Sequence, residues 1–488
     1  MRKVLLVILA LFLFSSCAER KEEGNIFHVA ITQEIPNLDI QGSSSRSTRD
    51  ALLPAYDTPF VLSDDGSVIP LLVSAYSVEG DTLEMKISSG ILFHDGSVMT
   101  PRDVQDSLNR WLSLNKNISD ALGGARFHVD GESIMIGPVR GAGNLPYLMA
   151  VSPDPPVVMP SKVIEELEDE HLPVTKVIGT GMYELESFVP GKSVELVRSE
   201  HQNFDRKPAF ESLVFESVPS PSMRRLGLES GRYDLISEVL PEDVPAFRAN
   251  DKVKLHELSE SESLVVVYNK ESGVMGNEWM RKAFSLSLDR EGILYSVFGP
   301  YGTTLDTSYM GMGDFYNGED PYGRRDLEEA EKILEENGYS GESVRILVPD
   351  MMNMEDGAYT IKRNLEEAGI NAEVMVRDWV SFLSLRSSSD SYDVFLSAYE
   401  SVPLPLLRQY LVPGYPGGFD DGGYLEKLYS AEDEESLKEV WKDAERYFFS
   451  TIPFSVIGHY GTIYASSVDI DGLDFSSGRI DFSSIRRI

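Results

Sequence analysis

Residues able to do chemistry are few in this chain, and they stand far apart. Seven histidines are scattered over 488 positions and Cys17 is the one cysteine. No internal disulfide and no cysteine cage for a metal can form. Imidazole ligation needs several histidines converging; His256 and His459 are the best placed, and their spacing makes no cluster. Ser113-Leu114-Asn115-Lys116 fits the bare spacing of a serine–lysine nucleophile pair. It falls late in a helix beginning near Pro101, and no second motif accompanies it. Asp469-Ile470-Asp471-Gly472 opens like a calcium loop but lacks the downstream bidentate glutamate, so it reads as a turn before a terminal strand. HExxH, GxSxG and phosphate-cradling glycine motifs are absent. The expectation is a protein that breaks no bond and needs no cofactor or bound metal. A net charge of −35 repels phosphate backbones and excludes a nucleic-acid partner.

Cys17 is the exception, because of what precedes it. Arg2 and Lys3 are followed by an unbroken apolar run, Val4 to Phe14. That run is too short to span a bilayer and has the proportions of a secretory signal. With Ser15 and Ser16 before the cysteine, the stretch resembles the lipobox of bacterial lipoproteins, although Phe14 stands where leucine is usual. The resemblance implies a signal peptide over residues 1–17 that is cleaved off at the cysteine, acylation of Cys17 and a polar tether at 18–24. Two or more acyl chains there would hold the protein durably on a membrane, facing the periplasm or the exterior.

The elements that follow alternate between strand and helix. Phe27–Gln33 has a strand's alternation, and the serine-rich stretch at 43–47 reads as loop. Asp64-Asp65-Gly66 marks a hairpin turn. Thr100 caps a helix with Pro101 in its first position and Asp103 in its first turn. Pro190-Gly191 separates two strands. A short helix runs from Ser222 to Glu229, and Leu264–Tyr268 is a buried strand. Glu278–Ser296 is predicted as one helix and Asp326–Glu336 as another. The segments Val344–Val348, Ala358–Ala368, Ala372–Val376, Trp379–Leu385 and Val394–Ala398 alternate as in an α/β unit. Length alone argues for two or three packed units.

Seven ordered blocks along the mature chain resemble one family, the extracellular solute-binding proteins of peptide/nickel-type ABC importers, family 5. They are Asn37-Leu38-Asp39; Phe93-His94-Asp95-Gly96-Ser97 with Thr100-Pro101-Arg102-Asp103-Val104; Ile178-Gly179-Thr180-Gly181-Met182-Tyr183; Leu228-Glu229-Ser230-Gly231 with Tyr233-Asp234; Tyr268-Asn269; Met280-Arg281-Lys282-Ala283-Phe284; and Leu288-Asp289-Arg290. Most of these residues read as scaffold. Gly96 and Gly181 suit tight turns, and His94 is a structural histidine, not a metal ligand.

The resemblance implies an α/β, two-lobed periplasmic-binding-protein-like fold with a subdomain inserted in the first lobe. Residues 25–55, 176–262 and 458–488 would form lobe one, 56–175 the insertion and 263–457 lobe two. It also implies a role in import: the lobes close on a small solute, an oligopeptide before all others, and deliver it as a monomer to an ABC permease and ATPase complex. A nickel or haem cargo and a sensing lipoprotein are the alternatives. In the family a carboxylate that meets the peptide ammonium lies after an apolar strand, just before an Asp-Pro element. Here Val402 precedes Pro403, and Glu400 is the nearest acid, with Tyr399 beside it at the strand end. Asn37 and Asn269 are further candidates at the lobe edge.

Overall fold

The computed structural model describes residues 25–43, 45–63, 67–139, 141–151, 154–168, 176–257, 262–301, 303–305, 307, 320–386, 388, 390–400, 422–431, 433–475 and 480–488. The leader, Cys17 and tether expected over residues 1–24, the turn expected at Asp64–Gly66 and the 401–421 segment lie outside them.

Two mixed sheets organise the molecule. The first has seven strands in the order Val253–Glu257, Ile463–Ser467, Leu235–Ile236, Ile26–Ile31, Ser212–Ser217, Ser193–Arg198 and Tyr183–Val189. Ile26–Ile31 runs parallel to both Ser212–Ser217 and Leu235–Ile236. The second sheet has six strands in the order Thr303–Thr304, Phe454–Tyr460, Glu262–Tyr268, Val394–Glu400, Val344–Pro349 and Ala372–Arg377. Val344–Pro349 is parallel to the strands on either side of it. The chain passes from the first sheet to the second between Glu257 and Glu262, and returns between Tyr460 and Ile463.

The run Leu264–Tyr268 is buried on both faces, as an unbroken apolar strand must be. Leu264, Val266 and Tyr268 enter one core with Phe284, Ile293 and Ile361. Val265 and Val267 enter another, shared with Leu108, Trp111 and Phe127 of the 56–175 region and with Trp441. That region carries its own four-stranded sheet, built from Val73–Glu79, Thr82–Ile87, Ser133–Ile136 and His128–Asp130. Its Lys116–Ala121 helix packs against the Tyr424–Tyr429 helix. The 56–175 region therefore packs against elements of the second sheet and of the chain that follows it.

Local signals act as written in the sequence. Thr100 and Asp103 form a reciprocal capping box on the Pro101–Leu114 helix, and Asp103 also accepts from the Ser161 amide at 2.8 Å. Ser220 caps Pro221–Glu229, and Asp326 caps Leu327–Glu336.

Three expectations are corrected. The predicted helix over 278–296 is two helices, Glu278–Ser287 and Arg290–Phe298. Leu288 turns extended, and the Asp289 side chain accepts from the Gly292 amide, a cap that starts the second helix instead of continuing the first. The serine-rich stretch at 43–47 is not all loop, because Ser45 caps a helix at Arg46–Leu52. Gly96 has the turn conformation, at φ +78°, but Gly181 is needed for a different reason. A Cβ there would collide with the backbone of both Pro54 and Ala55, so close chain approach is what excludes a side chain.

Candidate functional site

In open α/β sheets a ligand lies outside the carboxyl ends of the parallel strands. In the first sheet those ends are Ile31, Ser217 and Ile236, followed by Thr32, Val218 and Ser237-Glu238. In the second they are Pro349, Arg377 and Glu400. Glu262 begins its strand antiparallel to Val394–Glu400, and the register pairs Glu262 with Glu400 and Ser263 with Tyr399. Glu262 pairs with Tyr460 on its other side. The strand-end edges of the two sheets thus meet where the chain crosses between them.

Arg224, almost fully buried on the Pro221–Glu229 helix, builds the first edge. Its guanidinium donates to the carbonyls of Val218 and Pro219, each at 2.9 Å, and to that of Glu238 at 3.0 Å. Three carbonyls left over at strand ends are satisfied by one cation. Glu238 itself adopts φ +51°, a region non-glycine residues enter at a cost. Its carboxyl is enclosed, and burial pushes it above the usual carboxylate range; Glu262 adds to the rise, while Arg46 and a hydrogen bond from Thr32 oppose it.

Glu262 gathers donors from both sides of the crossing. Arg46 Nη1 donates to its Oε1 at 2.8 Å, Thr462 Oγ1 donates to the same oxygen at 2.9 Å, and the Tyr460 hydroxyl donates to Oε2. Arg46 Nη2 also reaches the Tyr464 hydroxyl at 3.3 Å. Burial, then the Glu262 charge, holds the Tyr460 phenol well above its ordinary value, so it stays a donor. Beside this group, Ser263 Oγ meets His459 Nδ1 at 2.8 Å.

The residues expected from the sequence divide. The main chain of Tyr399 and Glu400 ends its strand at this edge. Asn37 is exposed in its loop, where its Oδ1 accepts from the Asp39 amide at 3.1 Å. Asp39 then binds Arg110 through both carboxylate oxygens, at 3.1 and 2.6 Å, fastening the loop to the Pro101–Leu114 helix. Asn269 lies at the other end of the Glu262 strand, roughly 23 Å away at a strand's rise per residue. It is fully buried there, donating to the Tyr392 carbonyl. Cys17 is outside the described residues. Glu238, Glu262 and Arg46 were not among the expected residues. The rule for strand ends points to Glu238 once the Tyr233–Ile236 strand is read, whereas nothing local marks Arg46.

His94 and His256 are both held by hydrogen bonds within the fold. His94 uses both ring nitrogens on backbone, Nε2 to the Gly181 carbonyl at 3.0 Å and Nδ1 to the Gly179 amide at 3.2 Å. Burial lowers its pKa. His256 Nε2 pairs with Ser466 Oγ at 2.8 Å, and burial with nearby Lys254 brings its pKa down to about 4. Asp469 and Asp471 pair with Arg487 and Arg486 respectively. Among the described residues no three His, Cys, Asp or Glu side chains converge as a metal site would require, and no helix is long and apolar enough to cross a membrane.

Comparison with known proteins bears on this arrangement. The "Probable peptide ABC transporter periplasmic-binding protein y4tO" of Sinorhizobium fredii is 22% identical over 470 residues, covering 86% of each chain. The nickel-binding protein NikA of Staphylococcus aureus is 19% identical, covering 96% of this chain and 94% of its own. The crystal structure of a dipeptide-binding protein from Pseudoalteromonas sp. SM9913 in complex with Met-Leu superposes with a TM-score of 0.82. It is 17% identical and covers 95% of this chain and 100% of that one, which shows the two-lobed α/β fold. The family model described as bacterial extracellular solute-binding proteins, family 5 Middle, matches residues 67–410. With that match over most of its length, the chain belongs to the family 5 bacterial extracellular solute-binding proteins.

Proposed function

We propose that this solute-binding protein captures an oligopeptide between its lobes and hands it, chemically unchanged, to an ABC permease and its ATPase. The observation carrying this reading is the meeting of two strand-end edges at one crossing, with Glu238 on one side and Glu262 on the other. A peptide offers main-chain donors and acceptors to such strand ends, and its ammonium, once out of water, requires a carboxylate. The names of the peptide-binding relative and of the Met-Leu complex support the same solute class. The lobe boundaries in this reading fall at the two crossings, between Glu257 and Glu262 and between Tyr460 and Ile463, close to the 262 and 458 expected from sequence. Residues 56–175 belong to lobe one. Tyr399 and Glu400 are proposed to line the cleft, while Asn37 and Asn269 act by fastening loop and strand.

The protein works as a monomer at the cell envelope, tethered through acylated Cys17, and performs no catalysis. Ligand touching both lobes favours the closed form by its differential affinity, and that form is what the membrane partner reads. A nickel complex is the second reading, supported by likeness to NikA over nearly the whole chain. Mass spectrometry of small molecules released from the purified, anchor-deleted protein separates the two. Short peptides are expected; a nickel chelate without peptide would overturn the first reading.

A further inference from the structure

Family membership says that two lobes close, but not what they turn about. We propose that Glu262 is the positioning residue of the hinge, a pivot joining both interlobe crossings to the first lobe's Arg46–Leu52 helix. The inference rests on the two-lobe reading above and deepens it.

The geometry is specific. Glu262 is the first described residue after one crossing; Tyr460 ends the strand before the other, and Thr462 lies within it. Arg46 belongs to a helix of the first lobe that lies 216 positions away in sequence from Glu262. One carboxylate accepts from all three, and Arg46 continues to Tyr464 in the first sheet. The side chains of Arg46 and Glu262 are 23% and 15% exposed. That is shielded enough for a charge-assisted pair to hold its geometry. Tyr460 is fixed from behind by stacking on Phe298, with ring centroids 3.9 Å apart. Each partner therefore arrives already oriented by its own element.

The consequence is mechanical. Two peptide crossings without a link between them would bend independently, and the lobes would twist as well as close. With both bound to one carboxylate, and that carboxylate bound to a helix of lobe one, they turn together as a hinge of few degrees of freedom. Conservative replacement is instructive here. Glutamine keeps an oxygen for Arg46 and Thr462 and an amide whose N–H the Tyr460 hydroxyl can accept, whereas alanine leaves all three without a common partner.

Spin labels at Lys192→Cys and Glu366→Cys, both outside the buried cores and on different lobes, would report the interlobe distance in the anchor-deleted protein with no solute added. The distribution of the parent is expected to be narrow. Glu262→Ala is expected to broaden it roughly twofold, as hinge coupling is lost, and Glu262→Gln to restore most of the narrowing. If Glu262→Ala does not fold, Arg46→Met and Tyr460→Phe each remove one arm and are expected to broaden it partially. A folded Glu262→Ala protein whose distribution superimposes on the parent's would overturn the proposal, as would a Gln variant as broad as the Ala variant. Because no solute enters the experiment, its outcome is independent of which cargo the protein carries. Failure of the closure reading would show separately, as a parent distribution unmoved by a peptide mixture.

Discussion

Glu238 concentrates two costs in one residue: a left-handed backbone, and a carboxyl enclosed near Glu262 and raised above its ordinary range. A raised carboxyl pKa means that the folded state holds its proton more tightly than the unfolded chain. Stability is then lost as pH rises from the unfolded value through the folded one. Glu238→Gln removes that penalty. The variant is expected to melt higher than the parent at pH 7 and to bind a cationic-ended peptide several-fold more weakly, the opposed signs expected where function sets a residue against stability. Paired thermal melts and peptide titrations would check it, and a variant that gains stability with full affinity would remove Glu238 from the site. His256 works in the other sense. Its pKa is lowered to about 4 in the fold, against about 6.5 in an unfolded chain. Stability is thus complete above the unfolded value and declines as pH falls between the two. Denaturant titrations at pH 7 and pH 4.5 should differ by about 1–2 kcal/mol from this residue after allowing for its partial exposure, and His256→Gln should remove that part of the difference.

At the scale of elements, caps and apolar runs were legible from the chain. Thr100-Pro101 with Asp103 starts its helix where the residue chemistry says it should, and Asp326 opens the Leu327 helix as its cap. The alternation over 344–400 is the parallel part of the second sheet. What local pattern could not show was competition between signals. Asp289 inside an apolar periodicity can continue a helix or cap a new one, and it caps. The serine run before Arg46 can be loop or cap, and Ser45 is a cap. The candidate edge was half legible. A strand over Val394–Ala398 was read from sequence and runs on to Glu400, whereas the partner of Arg46 lies 216 residues away and leaves no local trace. Gly181 illustrates the same limit, since its need arises from the Pro54–Ala55 backbone that only the fold brings near. Gly181→Ala should cost more than about 3 kcal/mol, a value reserved for changes that displace packed backbone. Denaturant unfolding would measure it, and a loss near about 1 kcal/mol, typical of propensity alone, would show that the two segments can part.

For the whole molecule, the apolar cluster that carries Leu108 and Trp111 of the insertion also carries Val265, Val267 and Trp441. The 56–175 region also meets the later part of the chain away from the crossings, where the helix Lys116–Ala121 packs against Tyr424–Tyr429. On the reading proposed above, Glu262 supplies the pivot and the strand-end edge of each sheet faces the cleft.

Small-angle scattering of the anchor-deleted protein, with and without a mixture of short peptides, tests the central claim most directly. The radius of gyration should fall on adding peptides and return when they are dialysed away. A radius unmoved by peptides but reduced by a nickel–histidine complex, or moved by neither, would contradict peptide capture by lobe closure.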